Sequence, residues 1–140
     1  MRFQLVSSSG TKFNDEVYEV IVPTRGGTIS IFEDHMPLVS AAQPGVLSIR
    51  KKNGDSDSAM EHFAINGGVV EVAGKTVSFV ADDVTTAEDI NEKEAEAALA
   101  RAEDLIKGAD SQTALHEAHR MLQHSSAQLQ LSRLKKRHHQ

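Results

Sequence analysis

The sequence predicts an α+β protein: an N-terminal antiparallel β-sandwich over residues 1–86, then a C-terminal antiparallel two-helix hairpin over residues 87–140. Three observations carry this expectation. All three prolines, eight of the nine glycines and all six aromatic residues precede Thr85. Before that point apolar side chains alternate with a period of two, which puts them on one face of a strand. After it, alanine, leucine and charge recur at spacings of three and four, the helical period, and Gly108 is the one breaker. A body of about 85 residues buries only a thin core and gains modest stability by itself.

The strands follow in order. Phe3 and Leu5 share one face, and so do Val20 and Val22. Ile29 and Ile31 alternate with Thr28 and Ser30, and Leu47 and Ile49 alternate with Ser48 and Arg50. Phe63 with Ile65, Val70 with Val72, and Val77 with Phe79 repeat the pattern. Arg25-Gly26-Gly27, Asn53-Gly54, Asn66-Gly67 and Ala73-Gly74 supply the turns between them, because Asn-Gly and Gly-Gly permit the positive φ that tight hairpins need. Pro23, Pro37 and Pro44 suit strand ends, where no ladder N–H is required. Many short strands with regular turns favour two packed sheets.

Two helices complete the chain. Asn91 with Glu94, and Thr86 with Asp89, have the spacing of a capping box. The first helix is expected over 92–107, with Ala95, Ala98, Ala102 and Leu105 on its inner face and Leu99 and Ile106 widening it. Lys107-Gly108 marks its end. Asp110 or Ser111 caps the second helix, expected to reach Arg133, with an inner stripe of Leu115, Ala118, Leu122, Ser125, Leu129 and Ser132. A seam of alanine and serine lets helices approach closely yet buries little apolar area. At roughly 25 cal/mol per Å² it stabilises far less than a leucine seam. A hairpin that is helical by propensity and shallowly docked is the expectation.

Composition narrows the function. There is no cysteine, so disulfides and thiolate metal sites are excluded. No run approaches the ~18 apolar residues of a membrane span, and the N-terminal Met-Arg-Phe-Gln-Leu-Val signals neither export nor organelle import. The net charge of −5 is uneven: residues 1–88 hold 7 basic and 12 acidic side chains, 89–109 hold 3 and 6, and 110–140 hold 5 and 2. An acidic helix is therefore followed by a basic one, which is either a pair of solvated faces or a surface for an acidic partner.

No catalytic constellation emerges. His116 and His119 sit one helical turn apart, a spacing that suits zinc, without a companion carboxylate motif. His124, His138 and His139 follow on the polar face and tail. His35 stands beside Glu33 and Asp34, as a general base could, but no serine or cysteine is visibly paired with it. Gly26-Gly27 and Gly67-Gly68 lack the Gly-Lys-Ser/Thr ending of a phosphate loop. The basic tail has no interleaved aromatics, which argues against nucleic acid.

The ordered set Val20-Ile-Val-Pro23, Gly27-Thr-Ile-Ser-Ile31, His35-Met-Pro-Leu38, Pro44-Gly-Val-Leu-Ser-Ile49, Phe63-Ala-Ile-Asn-Gly-Gly68 and Ala87-Glu-Asp-Ile90 resembles the epsilon-subunit family of bacterial F-type ATP synthases, over essentially the whole chain. The resemblance implies a non-catalytic subunit without a cofactor, peripheral on the cytoplasmic face of the membrane. Its implied partners are the gamma subunit, the c-ring and the alpha/beta catalytic head. It implies that the sandwich couples gamma to the c-ring of a proton-translocating enzyme and that the hairpin, when extended, inhibits ATP hydrolysis. His35, Met36, Pro37 and Leu38 would then face the c-ring or gamma side, and Arg120, Arg133, Lys135, Lys136 and Arg137 the acidic head. Some family members bind ATP through an Ile/Leu-Asp-x-x-Arg motif. Here Ile90, Asn91 and Glu94 occupy those places, with asparagine for the acid and glutamate for the arginine, and a carboxylate repels phosphate. Two other readings stand beside this one: a stand-alone ligand-binding sandwich with a helical lid, and a hydrolase or metal enzyme using His35 or the His116/His119 pair.

Overall fold

A computed structural model describes residues 1–138, with side chains through Lys136. Eight strands are followed by two helices: β1 (Arg2–Ser7), β2 (Gly10–Glu16), β3 (Glu19–Thr24), β4 (Gly27–Ile31), β5 (Leu38–Arg50), β6 (Glu61–Ala73), β7 (Thr76–Ala81), β8 (Val84–Thr86), α1 (Glu92–Lys107) and α2 (Gln112–His138). The strands form one hydrogen-bonded path, β2-β1-β7-β6-β5-β3-β4, with β8 paired to β6. β5 and β6 each run 13 residues and serve both layers of the sandwich. The second half of β6 pairs with β7, which continues to β1 and β2. The second half of β5 pairs with β3, which continues to β4, and the first half of β6 pairs with β8. The sandwich is antiparallel as expected apart from β1 and β7, which run parallel.

Asn66-Gly67 is not the hairpin turn that its sequence predicts. β6 passes straight through it, paired to β5 on both sides. What changes there is the buried face. Odd-numbered Phe63 and Ile65 point into the core before it, and even-numbered Val70 and Val72 after it. Gly67 at φ +85° and Gly68 at φ +141° supply the local twist, which residues with a Cβ adopt poorly. The core lies between the layers and holds Phe3, Leu5, Val20, Val22, Ile31, Leu47, Ile49, Phe63, Ile65, Val70, Val72, Val77 and Phe79.

α1 begins where Asn91 Oδ1 accepts the Glu94 N–H at 3.2 Å. Thr86 and Asp89 instead close a turn ahead of it, with the Thr86 hydroxyl 2.8 Å from Asp89 Oδ2. Gly108 ends α1 at φ −95°, without the left-handed conformation that glycine permits. Ser111 Oγ accepts the Ala114 N–H at 3.1 Å and caps α2, which outruns its expected end at Arg133 by more than a turn. The small-residue seam forms: Ala95 and Ala102 of α1, and Ala118, Ser125, Leu129 and Ser132 of α2, are buried. Leu105, assigned to that seam, is 50% exposed. The last turn of α1 is where the two helices no longer cover each other.

Candidate partner-binding surfaces

α2 is the helix that lies on the sandwich, against β5 and β6, and α1 packs on α2. Two contacts hold α2 there. One is apolar and small: Ala127 and Leu131 close over Ala64 of β6, with Val46, Ala87 and Ile90 at the margin. This second buried face of α2 escaped the periodicity, because Ala127 and Leu131 lie beside the stripe that faces α1. The other contact is polar. Arg120, His124 and Gln128 recur every four residues and meet the link between β7 and β8. Arg120 Nη2 lies 3.9 Å from Asp82 Oδ2 and His124 Nε2 lies 3.8 Å from Asp83 Oδ2, while Gln128 Nε2 donates to Thr85 Oγ1 at 3.1 Å. Burial pushes the His124 imidazole below its ordinary pKa, and the Asp83 carboxylate opposes that shift. His124 Nδ1 is buried without a hydrogen-bond partner among the described residues, which weakens the contact.

The basic residues assigned to the catalytic head divide in this docked arrangement. Arg120 sits in the polar contact, and Lys136 pairs with Glu92 at the start of α1. Arg133 is exposed on α2, and Lys135 edges a cleft shared with Met60, His62 and Leu134. The Arg137 side chain and His139 lie outside the described residues.

Ile90, Asn91 and Glu94 come together in a cleft of 370 Å³ between α1, β8 and α2. Its charged lining is Asp89, Glu94 and Arg101, and α2 contributes Gln128. Two carboxylates against one guanidinium make it a poor site for a polyphosphate.

The loop between β4 and β5 turns at Asp34, whose φ is +64°. His35 Nδ1 bonds the Met36 carbonyl at 2.7 Å, so the ring fixes its own loop and meets no nucleophile. Met36 is 74% exposed and Pro37 is exposed beside it, whereas Leu38 packs against the core. His116 and His119 lie near Arg25 and Arg120, neighbours that repel a divalent cation. Among the described residues no group of three or more His, Asp or Glu is arranged to hold a metal ion, and no helix is long and apolar enough to cross a membrane.

Sequence alternation missed a further surface. Val80 of β7 stands opposite both Val69 of β6 and Val6 of β1, and Val69 stands opposite Ala41 of β5. These side chains form a row on the outer face of the sandwich. Val80 is 62% and Val69 46% exposed, and Val39 beside them is 71% exposed. An apolar row across four strands marks a surface made for contact. The doublets Leu5-Val6, Val69-Val70 and Phe79-Val80 were its signals, since one member of each such pair must point outward.

Residues 1–87 match the family model described as "ATP synthase, Delta/Epsilon chain, beta-sandwich domain". The chain belongs to this family. Over 140 residues it is 34% identical to the ATP synthase epsilon chain of Chromobacterium violaceum, covering 99% of this chain and 98% of that one. Over 136 residues it is 30% identical to the epsilon chain of Staphylococcus aureus strain JH9, covering 96% and 98%. Its fold is that of a chain in the Euglena gracilis mitochondrial ATP synthase (OSCP/F1/c-ring) structure, with a TM-score of 0.75, 17% identity and coverage of 89% and 76%. A chain in the Tetrahymena thermophila mitochondrial ATP synthase central stalk/c-ring structure matches with a TM-score of 0.61, 19% identity and coverage of 92% and 96%. Membership makes this an epsilon-type subunit of the ATP synthase central stalk, a non-catalytic component.

Proposed function

We propose that this epsilon-type subunit couples the gamma subunit to the c-ring of a proton-translocating ATP synthase, on the cytoplasmic face of a bacterial membrane, and that its hairpin restrains ATP hydrolysis. The sandwich of residues 1–86 is the coupling part and the hairpin of residues 87–140 the regulatory part. The observation that carries the coupling role is the exposed row Val80, Val69, Ala41 and Val6, an apolar surface that a stalk partner would cover. His35, Met36, Pro37 and Leu38, in the loop before β5 and at its start, are assigned to the c-ring or gamma side, with Met36 and Pro37 projecting from it. Leu38, drawn into the core, supports that loop from below.

The regulatory role rests on how lightly α2 is held. A few small apolar side chains, two ion pairs near 4 Å and one hydrogen bond hold the hairpin on the sandwich. A switch needs two packings only a few kcal/mol apart. Release from the sandwich frees Arg120, and separation of α2 from α1 frees Lys136, to join Arg133, Lys135 and Arg137 against an acidic surface on the head, where charge-assisted contacts would favour the extended state.

Deleting the residues after Ile90 tests this in the assembled enzyme. ATP hydrolysis should rise while the truncated subunit stays bound. Unchanged hydrolysis removes the regulatory role and leaves coupling standing. Calorimetric titration of the isolated subunit should detect no micromolar ATP binding that Asn91→Ala abolishes, because Asp89 and Glu94 line the cleft that carries the altered motif.

A further inference from the structure

A groove of about 480 Å³ lies between the β3–β4 turn, the stretch of β5 from Ala41 to Pro44, and the N-terminal half of α2. Arg25, His116, His119, Arg120 and Gln123 line it, and no carboxylate does. That is a notable concentration in a chain whose net charge is −5. Two guanidiniums bring a fork of donors each and no acceptor, and the imidazoles and the Gln123 amide add further N–H groups. Arg25 makes no hydrogen bond or ion pair among the described residues. The acid nearest to Arg120, Asp82, is 3.9 Å away and 65% exposed, so it neutralises the groove only weakly. Cationic groups drawn together from two separate parts of a fold repel each other, and an anion between them reverses the sign of that interaction.

We propose that this groove binds a small, multiply charged oxyanion of the phosphate class, held between Arg25 of the sandwich and His116, His119 and Arg120 of the hairpin. It is separate from the cleft at Asn91 and Glu94, whose carboxylates disfavour such a ligand. Because its walls belong to both parts of the molecule, it exists only while α2 lies on the sheet. A ligand that binds one state alone stabilises that state in proportion to its occupancy. The bound oxyanion therefore opposes release of the hairpin. The inference stands whether or not the hairpin inhibits hydrolysis.

Calorimetric titration of the full chain with inorganic pyrophosphate at low ionic strength tests it. Binding should saturate at one site. It should weaken about tenfold or more in both Arg25→Gln and Arg120→Gln, since each removes a charge-assisted contact. Lys93→Gln, which removes the same charge from the exposed face of α1, should leave it unchanged. Saturating pyrophosphate should also slow hydrogen exchange of the α2 amides. Anionic phosphatidylglycerol vesicles supply the same chemistry from a lipid headgroup and should not carry the chain down. The proposal is overturned by an absence of saturable binding, by binding in both arginine variants as tight as in the parent chain, or by capture on vesicles without affinity for free pyrophosphate.

Discussion

Gly68 shows how one residue sets the course of two strands. A Cβ there would collide with the Val80 carbonyl oxygen and lie 2.7 Å from the Phe79 ring and 2.9 Å from Ala81 Cα, at a φ of +141°. Gly68→Ala is expected to cost on the order of 3 kcal/mol in chemical denaturation, through strain and clash together. Gly26→Ala, where a Cβ meets nothing within 4 Å, should stay within about 0.5 kcal/mol. Arg50 is the corresponding polar anchor. Its Nε lies 3.0 Å from Glu19 Oε2 and its Nη2 2.7 Å from Asp57 Oδ1, and Nη1 bonds the Asp55 carbonyl. Glu19 is buried, so Arg50→Met strands a carboxylate away from water. A lower melting temperature is expected, with part of the loss restored in the double variant carrying Glu19→Gln. Thermal or denaturant melting of the three proteins checks this.

At the scale of elements, α2 is the member poised to move. Its contact with the β7–β8 link contains one group that titrates near neutrality. His124 is held below its ordinary pKa of 6.5 by burial, against the pull of Asp83. Arg120, one turn earlier, and Asp82 also border it, while Gln128 faces the same contact without charge. A cation whose pKa is depressed on docking binds fewer protons docked than released. Docking is thus favoured above the ordinary value and weakens as pH falls through it. Hydrogen exchange of the α2 amides should accelerate between about pH 7.5 and about pH 5.5, beyond the intrinsic pH effect, and His124→Gln should remove the excess. The same contact shows why propensity described the helices and missed their docking. Ala118, Ser125, Leu129 and Ser132 stand at seam spacing and are buried as expected. Ala127 and Leu131 are buried only because β5 and β6 happen to pass beneath them.

For the whole molecule, the two outer faces of the sandwich have different coverings. One carries α2 over Val46 and Ala64, and the other leaves Val80, Val69 and Val39 open. Placing a charge in the open row should separate the subunit from the stalk without unfolding it. Val80→Asp is expected to weaken association with the assembled complex by about thirtyfold or more, the loss typical of an interface anchor. Its melting temperature should stay near that of the parent chain, and co-purification from membranes reads the loss. Normal recovery of Val80→Asp with the complex would show that this face is not the contact.

The alternation of Phe3 with Leu5 and of Val77 with Phe79, and the helical spacing after Asn91, determined the strands, the helices and the core, because those patterns are local consequences of backbone period. The family was legible for the same reason, through motifs held in order along the chain. Asn66-Gly67 misled, because positive φ serves a reversal and a mid-strand twist equally well, and only the pairing of β6 with β5 on both sides distinguishes them. β2 had no apolar alternation to display at the edge it occupies. The row of valines, the polar contact of Arg120, His124 and Gln128, and the cationic groove at Arg25 each join residues distant in sequence. Those groupings were decided by tertiary structure, since cross-strand register and the docking of α2 bring together side chains that no local period relates.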